Sequence, residues 1–148
     1  MPLNDRVEGN DRVGERGRRR RGWSRRGGGC EWIVALGLDA RLVTTPGNPV
    51  LVARTPQTKG RRKPHYLVYG HYDVQPSVPD ELWTTPAFEP TIRDGKIFAR
   101  GACDDKGQMY MHVKAFEAMM QTNSLACNVK FMIEGEEEVG STNLGIYV

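Results

Sequence analysis

Two short apolar runs constrain the fold of this chain more than any other feature. They lie at residues 65–70 (HYLVYG) and 128–133 (NVKFMI), and each is bounded by turn-forming or polar residues. Runs of this length and composition are typical of buried strands. The first run therefore predicts a central strand that is buried on both faces, and the second predicts another buried strand.

The segments around the two runs predict further strands and a hairpin. Residues 40–43 and 50–53 predict short strands around a Pro-Gly-Asn-Pro turn. Within residues 88–99, two strand-like pieces flank Asp94-Gly95. This dipeptide is a strong hairpin signal because both of its positions tolerate a positive φ.

Helices are predicted at two places in the chain. Residues 32–36 predict the end of a helix that Gly37 stops. A second helix is expected to follow Asp104-Asp105, which offer its N-cap, and to end near Asn123. Its core face is predicted by apolar residues at helical spacing, namely Met109, Val113, Phe116 and Met120. The order of strand, hairpin, helix and strand predicts the α/β class.

Residues 1–31 differ in composition from the rest of the chain. The first thirty residues carry nine arginines against four acidic residues, so the net charge of +3 comes from this segment. Too little apolar surface is available here to offset the entropy of ordering, which predicts a disordered Arg/Gly-rich tail. The arginine run 18–21 could bind phosphates non-specifically. No known RNA-binding module accompanies it, so an incidental tail is favoured over a nucleic-acid partner.

Membrane insertion and secretion are not indicated. No apolar run approaches the roughly 20 residues that cross a bilayer, and the charged N-terminus is not followed by the apolar segment of a signal peptide. The three cysteines, Cys30, Cys103 and Cys127, are an odd number and form no CxxC pair. This pattern favours a reducing, cytoplasmic setting over a disulfide framework.

Three polar segments follow the predicted strands and the hairpin. They are residues 70–73 (GHYD), 100–107 (RGACDDKG) and 134–141 (EGEEEVGS). In open α/β sheets, ligand sites gather at the carboxyl ends of strands. Their side chains, histidine, aspartate and glutamate, are ligands suited to zinc, manganese or cobalt.

The first of these segments joins an imidazole to a carboxylate. Residues two apart on an extended chain point to the same side, so Asp73 can orient the ring of His71. A metal-binding histidine usually donates its second ring N–H to such a partner. Taken alone, this HxD pattern favours a structural histidine over a ligand.

The other two segments concentrate negative charge. Two carboxylates about 4 Å apart repel by roughly 4 kcal/mol at an effective dielectric constant of 20. A solvated face would relieve the repulsion within residues 134–138, whereas a pair of cations would balance it directly. Asp104 has two carboxylate oxygens and can therefore bridge two cations. Asp105 fits the N-cap of the helix that follows. Cys103, which has no partner cysteine, fits a small packed residue.

The three motifs together resemble one known family. YGHYDVQP (69–76), DGKIFARGACDDKG (94–107) and EGEEEVGS (134–141) are similar, in order and spacing, to motifs of the di-zinc peptidases that include carnosine dipeptidase, cytosolic non-specific dipeptidase and acetylornithine deacetylase. The resemblance extends from about residue 33 to the last residue and is greatest to the dipeptidases. It implies that residues 32–148 are the N-terminal part of a mixed-sheet, three-layer α/β/α catalytic domain.

The resemblance also implies a role for each candidate residue. His71 ligates one of two divalent metal ions, Glu138 ligates the other, and Asp104 bridges them. Asp73 orients His71, and Glu137 is the general base that holds the attacking water. Zinc is the expected metal, with manganese and cobalt as alternatives, and small peptides are the expected substrate.

Some parts of the family pattern have no counterpart in this sequence. Family members complete the metal shell with a further acidic ligand and with a histidine near the C-terminus. They also insert a lid domain that forms a homodimer. In this sequence, neither His65 nor His112 matches a ligand motif. The chain is therefore expected to be a truncated catalytic domain that is inactive by itself. The expected function is amide hydrolysis of dipeptides or small peptides by a metal-activated water. N-acyl amino acid deacetylation or desuccinylation, and a non-catalytic fragment, are the alternatives.

Overall fold

A computed structural model of the protein describes residues 33–56 and 63–148, and the predicted tail at residues 1–31 lies outside these ranges. The strands in chain order are β1 (Asp39–Val43), β2 (Val50–Arg54), β3 (His65–His71), β4 (Thr91–Arg93), β5 (Lys96–Phe98) and β6 (Asn128–Glu134). The long α-helix of the described residues, α1, spans Gly107–Gln121. The predicted strands at 40–43, 50–53 and 128–133 are confirmed, each with one residue more.

The main sheet is mixed, with the strand order β1-β2-β6-β3. β2 pairs antiparallel with both β1 and β6, whereas β3 pairs parallel with β6. The parallel register runs from His65 opposite Asn128 to His71 opposite Glu134. Both strands therefore end at the same edge of the sheet, and the loops that follow them emerge side by side.

The prediction that residues 65–70 form a buried central strand is wrong in two respects. β3 lies at the edge of the described sheet, and Tyr66 and Leu67 are 60% and 59% exposed. Its burial is confined to its end, where Gly70 and His71 lie inside the protein. An apolar run indicates β propensity and length, but the number of neighbouring strands depends on segments elsewhere in the chain.

The hairpin at Asp94-Gly95 is confirmed. β4 and β5 pair antiparallel as a separate two-stranded sheet, and the two turn residues have φ of 49° and 72°. Both values lie in the left-handed region, as a two-residue hairpin turn of the I′ type requires. The hairpin leads from the loop after β3 to the segment that carries Asp104.

The core lies between the main sheet and α1. Met109, Val113 and Phe116 are almost fully buried, as the helical spacing predicts, whereas Met120 is 40% exposed. Phe116 contacts Phe131 of β6 edge to face, with ring centroids 5.8 Å apart. The core cluster also includes Ile33, Leu38, Leu51, Ala53, Val129 and Ile133.

The start of α1 differs from its prediction. A single wide turn, Ala102–Lys106, precedes the helix, and no side chain caps its first residues. Asp105 instead accepts a hydrogen bond from the backbone N–H of His71, at 3.2 Å. The tertiary contact with β3 replaces the local cap that the sequence predicts.

The ends of the two predicted helices agree with the sequence. Residues 33–35 are helical, and Gly37, with φ of 85°, follows them in the left-handed conformation typical of a helix C-terminus. Asn123, with φ of 53°, likewise adopts the left-handed conformation just after the C-terminus of α1. The mixed α/β architecture is thus confirmed. Within residues 33–56 and 63–148, no helix combines the length and apolarity that a membrane span requires.

Candidate metal centre

The three polar segments converge where β3 and β6 end. His71 is the last residue of β3, and it lies opposite Glu134, the last residue of β6. A short helical turn, Glu137–Val139, follows β6, and the turn that contains Asp104 approaches from the hairpin side. Non-local pairing therefore brings together residues that are more than thirty positions apart in the chain.

His71, Asp104 and Glu138 form a compact set of ligand atoms. One nitrogen or oxygen from each side chain can be chosen so that all three atoms lie within 4.8 Å of one another. His71 is buried, Glu138 is partly buried and Asp104 is exposed. A group of one imidazole and two carboxylates suits a divalent transition metal, so the donor set fits the metals that the sequence predicts.

The imidazole of His71 is held between two carboxylates. Its Nε2 lies 3.0 Å from Asp104 Oδ1, and its Nδ1 lies 3.3 Å from both the backbone oxygen and Oδ1 of Asp73. Asp73 thus lies on the side of the ring that the two-residue spacing predicts. Burial lowers the pKa of His71, but the hydrogen bond to Asp104 and the charges of Asp73, Glu137 and Asp105 outweigh it, and the net pKa is raised.

Asp73 also organises the loop that carries the two candidate glutamates. Its Oδ1 accepts a hydrogen bond from the backbone N–H of Glu137 at 3.3 Å, and its Oδ2 accepts one from that of Glu138 at 3.0 Å. One carboxylate therefore contacts the histidine ring and fixes the backbone of the opposite loop. Bonds from backbone N–H groups to an ionised acceptor are among the stronger hydrogen bonds in proteins.

Glu137 lies beside the candidate ligands with its carboxylate accessible to solvent. Its Oε2 is 3.8 Å from His71 Nε2, and 44% of its side chain is exposed. The carboxylate is near enough to contact a molecule held by the ligand set and open enough to exchange protons with water. This position suits a general base.

Carboxylates dominate the electrostatics of the centre. Asp73 and Asp105 lie near Lys106, whose Nζ donates to the carbonyl oxygen of Tyr72 at 2.9 Å. The net pKa of Lys106 is lowered, because burial disfavours its charged form more strongly than the charges of Asp73 and Asp105 favour it. The accumulated negative charge at the rim of the ligand set favours a cation at this position.

Several positioning contacts were not predicted from the sequence. Gln75 donates from its Nε2 to Glu138 Oε2 at 2.9 Å and to Glu138 O at 3.0 Å. Glu136, to which the sequence assigns no role, accepts hydrogen bonds from Asn48 N at 2.8 Å and Asn143 Nδ2 at 2.8 Å. These bonds connect the β1–β2 loop to the segment after β6, and no local pattern indicates such contacts.

Glu134 is a buried carboxylate behind the ligand set. It is 1% exposed, and its Oε1 accepts hydrogen bonds from Ser141 Oγ at 2.8 Å and from the hydroxyl of Tyr69. Burial and the bond to Glu134 raise the pKa of Tyr69 to about 12. Glu134 therefore connects the start of the glutamate-bearing loop to its end at Ser141.

The residues of this site lie within a range that matches a known protein family. Residues 67–147 match the sequence profile of peptidase family M20/M25/M40, a range that contains every candidate residue named above. The chain belongs to this family.

Individual relatives include dipeptidases and desuccinylases. The Beta-Ala-His dipeptidase of Rattus norvegicus is 38% identical over 109 residues, which are 72% of this chain and 21% of that protein. A succinyl-diaminopimelate desuccinylase of Janthinobacterium is 35% identical over 114 residues, or 76% of this chain and 29% of that protein. The chain thus spans less than a third of the length of these relatives.

Solved structures of the family share the fold. Human carnosine dipeptidase 1 superposes with a TM-score of 0.74 at 32% identity, over 81% of this chain and 27% of that one. An M20 family metallo-carboxypeptidase from Sulfolobus solfataricus superposes with a TM-score of 0.72 at 41% identity, over 79% and 26% respectively. The mixed-sheet catalytic fold implied by the three motifs is confirmed by these matches.

Proposed function

We propose that the protein hydrolyses the amide bond of dipeptides or other small peptides at a centre of two divalent metal ions. The observation that carries the proposal is the convergence of His71, Asp104 and Glu138 within 4.8 Å, with Glu137 beside them. In this proposal His71 and Glu138 would each hold one ion, and Asp104 would be the ligand that the two ions share. Zinc is the first candidate, and manganese and cobalt suit the same ligands.

Each residue of the centre has a chemical task in this proposal. The chemistry that the bound cations supply is polarisation of the substrate carbonyl and acidification of the attacking water. Glu137 removes a proton from that water and later delivers it to the leaving amine. Asp73 keeps the ring of His71 oriented, and its carboxylate accepts hydrogen bonds from the backbone N–H groups of Glu137 and Glu138. The open position of Asp104, 73% exposed, gives substrate access to the centre.

The number of ligands determines which form of the protein can be active. A catalytic metal ion usually takes about three protein ligands, and two ions that share one bridging carboxylate need more than His71, Asp104 and Glu138. We propose that further ligands, in addition to these three residues, complete the shell, and that the 148-residue chain by itself hydrolyses little or no peptide. A cytoplasmic location and a homodimeric assembly stay predictions.

Removal of the proposed base tests this function directly. In the complete protein that contains these residues, Glu137→Gln keeps the shape of the side chain but cannot accept the proton. We expect dipeptide turnover to fall by about 10²- to 10⁴-fold, while the metal content measured by elemental analysis stays the same. Glu89→Gln, at an exposed site outside the cluster, is the matched control. Equal turnover in Glu137→Gln and in the unmodified protein would refute the assignment of the base.

A second candidate function is hydrolysis of an N-acyl amino acid. The similarity to the desuccinylase supports it, and the bond that breaks is again an amide. Parallel assays with dipeptides and with N-succinyl and N-acetyl amino acids separate the two candidates. Hydrolysis of the acyl compounds alone would favour the second, and absence of all hydrolysis by the metal-loaded complete protein would leave the non-catalytic alternative.

A further inference from the structure

Gln75 makes a pair of hydrogen bonds that the proposed chemistry does not use. Its Nε2 lies 2.9 Å from Oε2 of Glu138 and 3.0 Å from the backbone oxygen of the same residue. The side chain of Gln75 is exposed, so these bonds contribute little to the packing of the core. Both converge on one residue, the candidate ligand Glu138.

Glu138 is consequently held at three atoms by the loop that follows β3. Asp73 accepts a hydrogen bond from its backbone N–H, and Gln75 donates to its backbone oxygen and to its carboxylate. The same loop also orients the ring of His71 through Asp73. Residues 73–75 therefore connect His71, the last residue of β3, to Glu138 in the short helical turn after β6.

We propose that Gln75 is a positioning residue that fixes the carboxylate of Glu138 for metal binding. The inference rests on the proposed function, because it assumes that Glu138 is a ligand. A free glutamate side chain samples many rotamers, and ordering it on binding costs conformational entropy. A hydrogen bond that restricts the rotamers before binding strengthens it by preorganisation.

The amide is chemically suited to this task. It donates a hydrogen bond but carries no charge, so it orients the carboxylate without competing with a cation for it. A lysine at the same position would neutralise Glu138, and a second carboxylate would repel it. Among the described contacts of Glu138, Gln75 supplies the donor to its side chain.

The inference is tested by metal titration of the complete protein. Binding of Zn²⁺ in competition with a chromogenic chelator gives the affinity for each of the two ions. Gln75→Leu keeps the size of the side chain but removes the donor. We expect one of the two affinities to fall about 10- to 100-fold, the usual effect of losing a hydrogen-bond partner of a metal ligand, and the other to change little. Gln121→Leu, at the exposed end of α1, is the matched control and should behave as the unmodified protein does.

A double-variant cycle separates positioning from a general structural effect. If Gln75 acts through Glu138, Gln75→Leu has almost no effect on zinc affinity when Glu138→Gln is already present. An equal loss in both backgrounds, or unchanged affinity in Gln75→Leu alone, would overturn the inference. If Glu138→Gln itself leaves zinc binding intact, the proposed function fails as well, and the two failures are thereby distinguished.

Discussion

At the scale of single residues, the centre depends on how one carboxylate serves several partners. The carboxylate of Asp73 contacts Nδ1 of His71 and accepts hydrogen bonds from the backbone N–H groups of Glu137 and Glu138. Only 17% of its side chain is exposed, so water cannot easily replace these bonds. The sequence predicts the contact with His71, because alternate residues of a strand share a side. The contacts with the glutamates require the β3–β6 pairing and could not be predicted.

Substitution of Asp73 tests this dual role. Asp73→Asn replaces one acceptor oxygen by an N–H₂ group, which then faces a backbone donor. We expect a loss of stability of about 1–3 kcal/mol from the unsatisfied donor, measured by urea denaturation, and zinc binding weakened about 10- to 100-fold. Asp80→Asn, in an exposed short helical turn, is the control. Wild-type zinc affinity in Asp73→Asn would show that the carboxylate does not position the ligands.

At the scale of elements, the parallel pairing of β3 with β6 determines the site. It places the HYD segment and the acidic segment at one edge of the sheet, and each loop packs closely against the other. A Cβ atom on Gly135 would lie 2.2 Å from Cζ of Tyr72, and the hydroxyl of Tyr72 donates to the carbonyl oxygen of Pro49. The glycine is therefore required by close approach of an aromatic ring.

A methyl group at Gly135 should displace the loop that bears the glutamates. We expect Gly135→Ala to be destabilising by about 1–3 kcal/mol, as in other overpacked sites, and to weaken zinc binding because Glu137 and Glu138 follow directly. Gly145→Ala, where nothing lies within 4 Å of the new Cβ, should change neither property. Equal denaturation midpoints for the two variants would contradict the packing described here.

Local patterns predicted some elements and failed for others. The hairpin and the buried stripe of α1 follow from turn chemistry and helical spacing, which depend on neighbouring residues. The position of β3 at the sheet edge and the bond from His71 N to Asp105 depend on distant segments. The same distinction applies to the site. The motifs indicate the candidate ligands His71, Asp104 and Glu138, whereas the hydrogen bonds of Gln75, Glu134 and Glu136 depend on the folded chain.

At the scale of the whole molecule, the hydrophobic core of the described residues joins the main sheet to α1. Phe116 of α1 and Phe131 of β6 are 2% and 1% exposed and contact each other edge to face. We expect Phe116→Ala to lower the free energy of unfolding by about 3–5 kcal/mol, since it removes buried area and leaves a cavity. Met111→Ala, on the exposed face of the same helix, should change it by about 0.5 kcal/mol or less. Similar losses in the two variants, measured by urea denaturation, would contradict this core.

The central claim is that His71, Asp104 and Glu138 together hold divalent metal ions. The most direct measurement is a zinc titration of the complete protein and of three variants, His71→Ala, Asp104→Asn and Glu138→Gln, each by competition with a chelator. We predict two bound ions in the unmodified protein, and in every variant either the loss of an ion or an affinity at least about 100-fold weaker. The same stoichiometry and affinity in all four proteins would contradict the account.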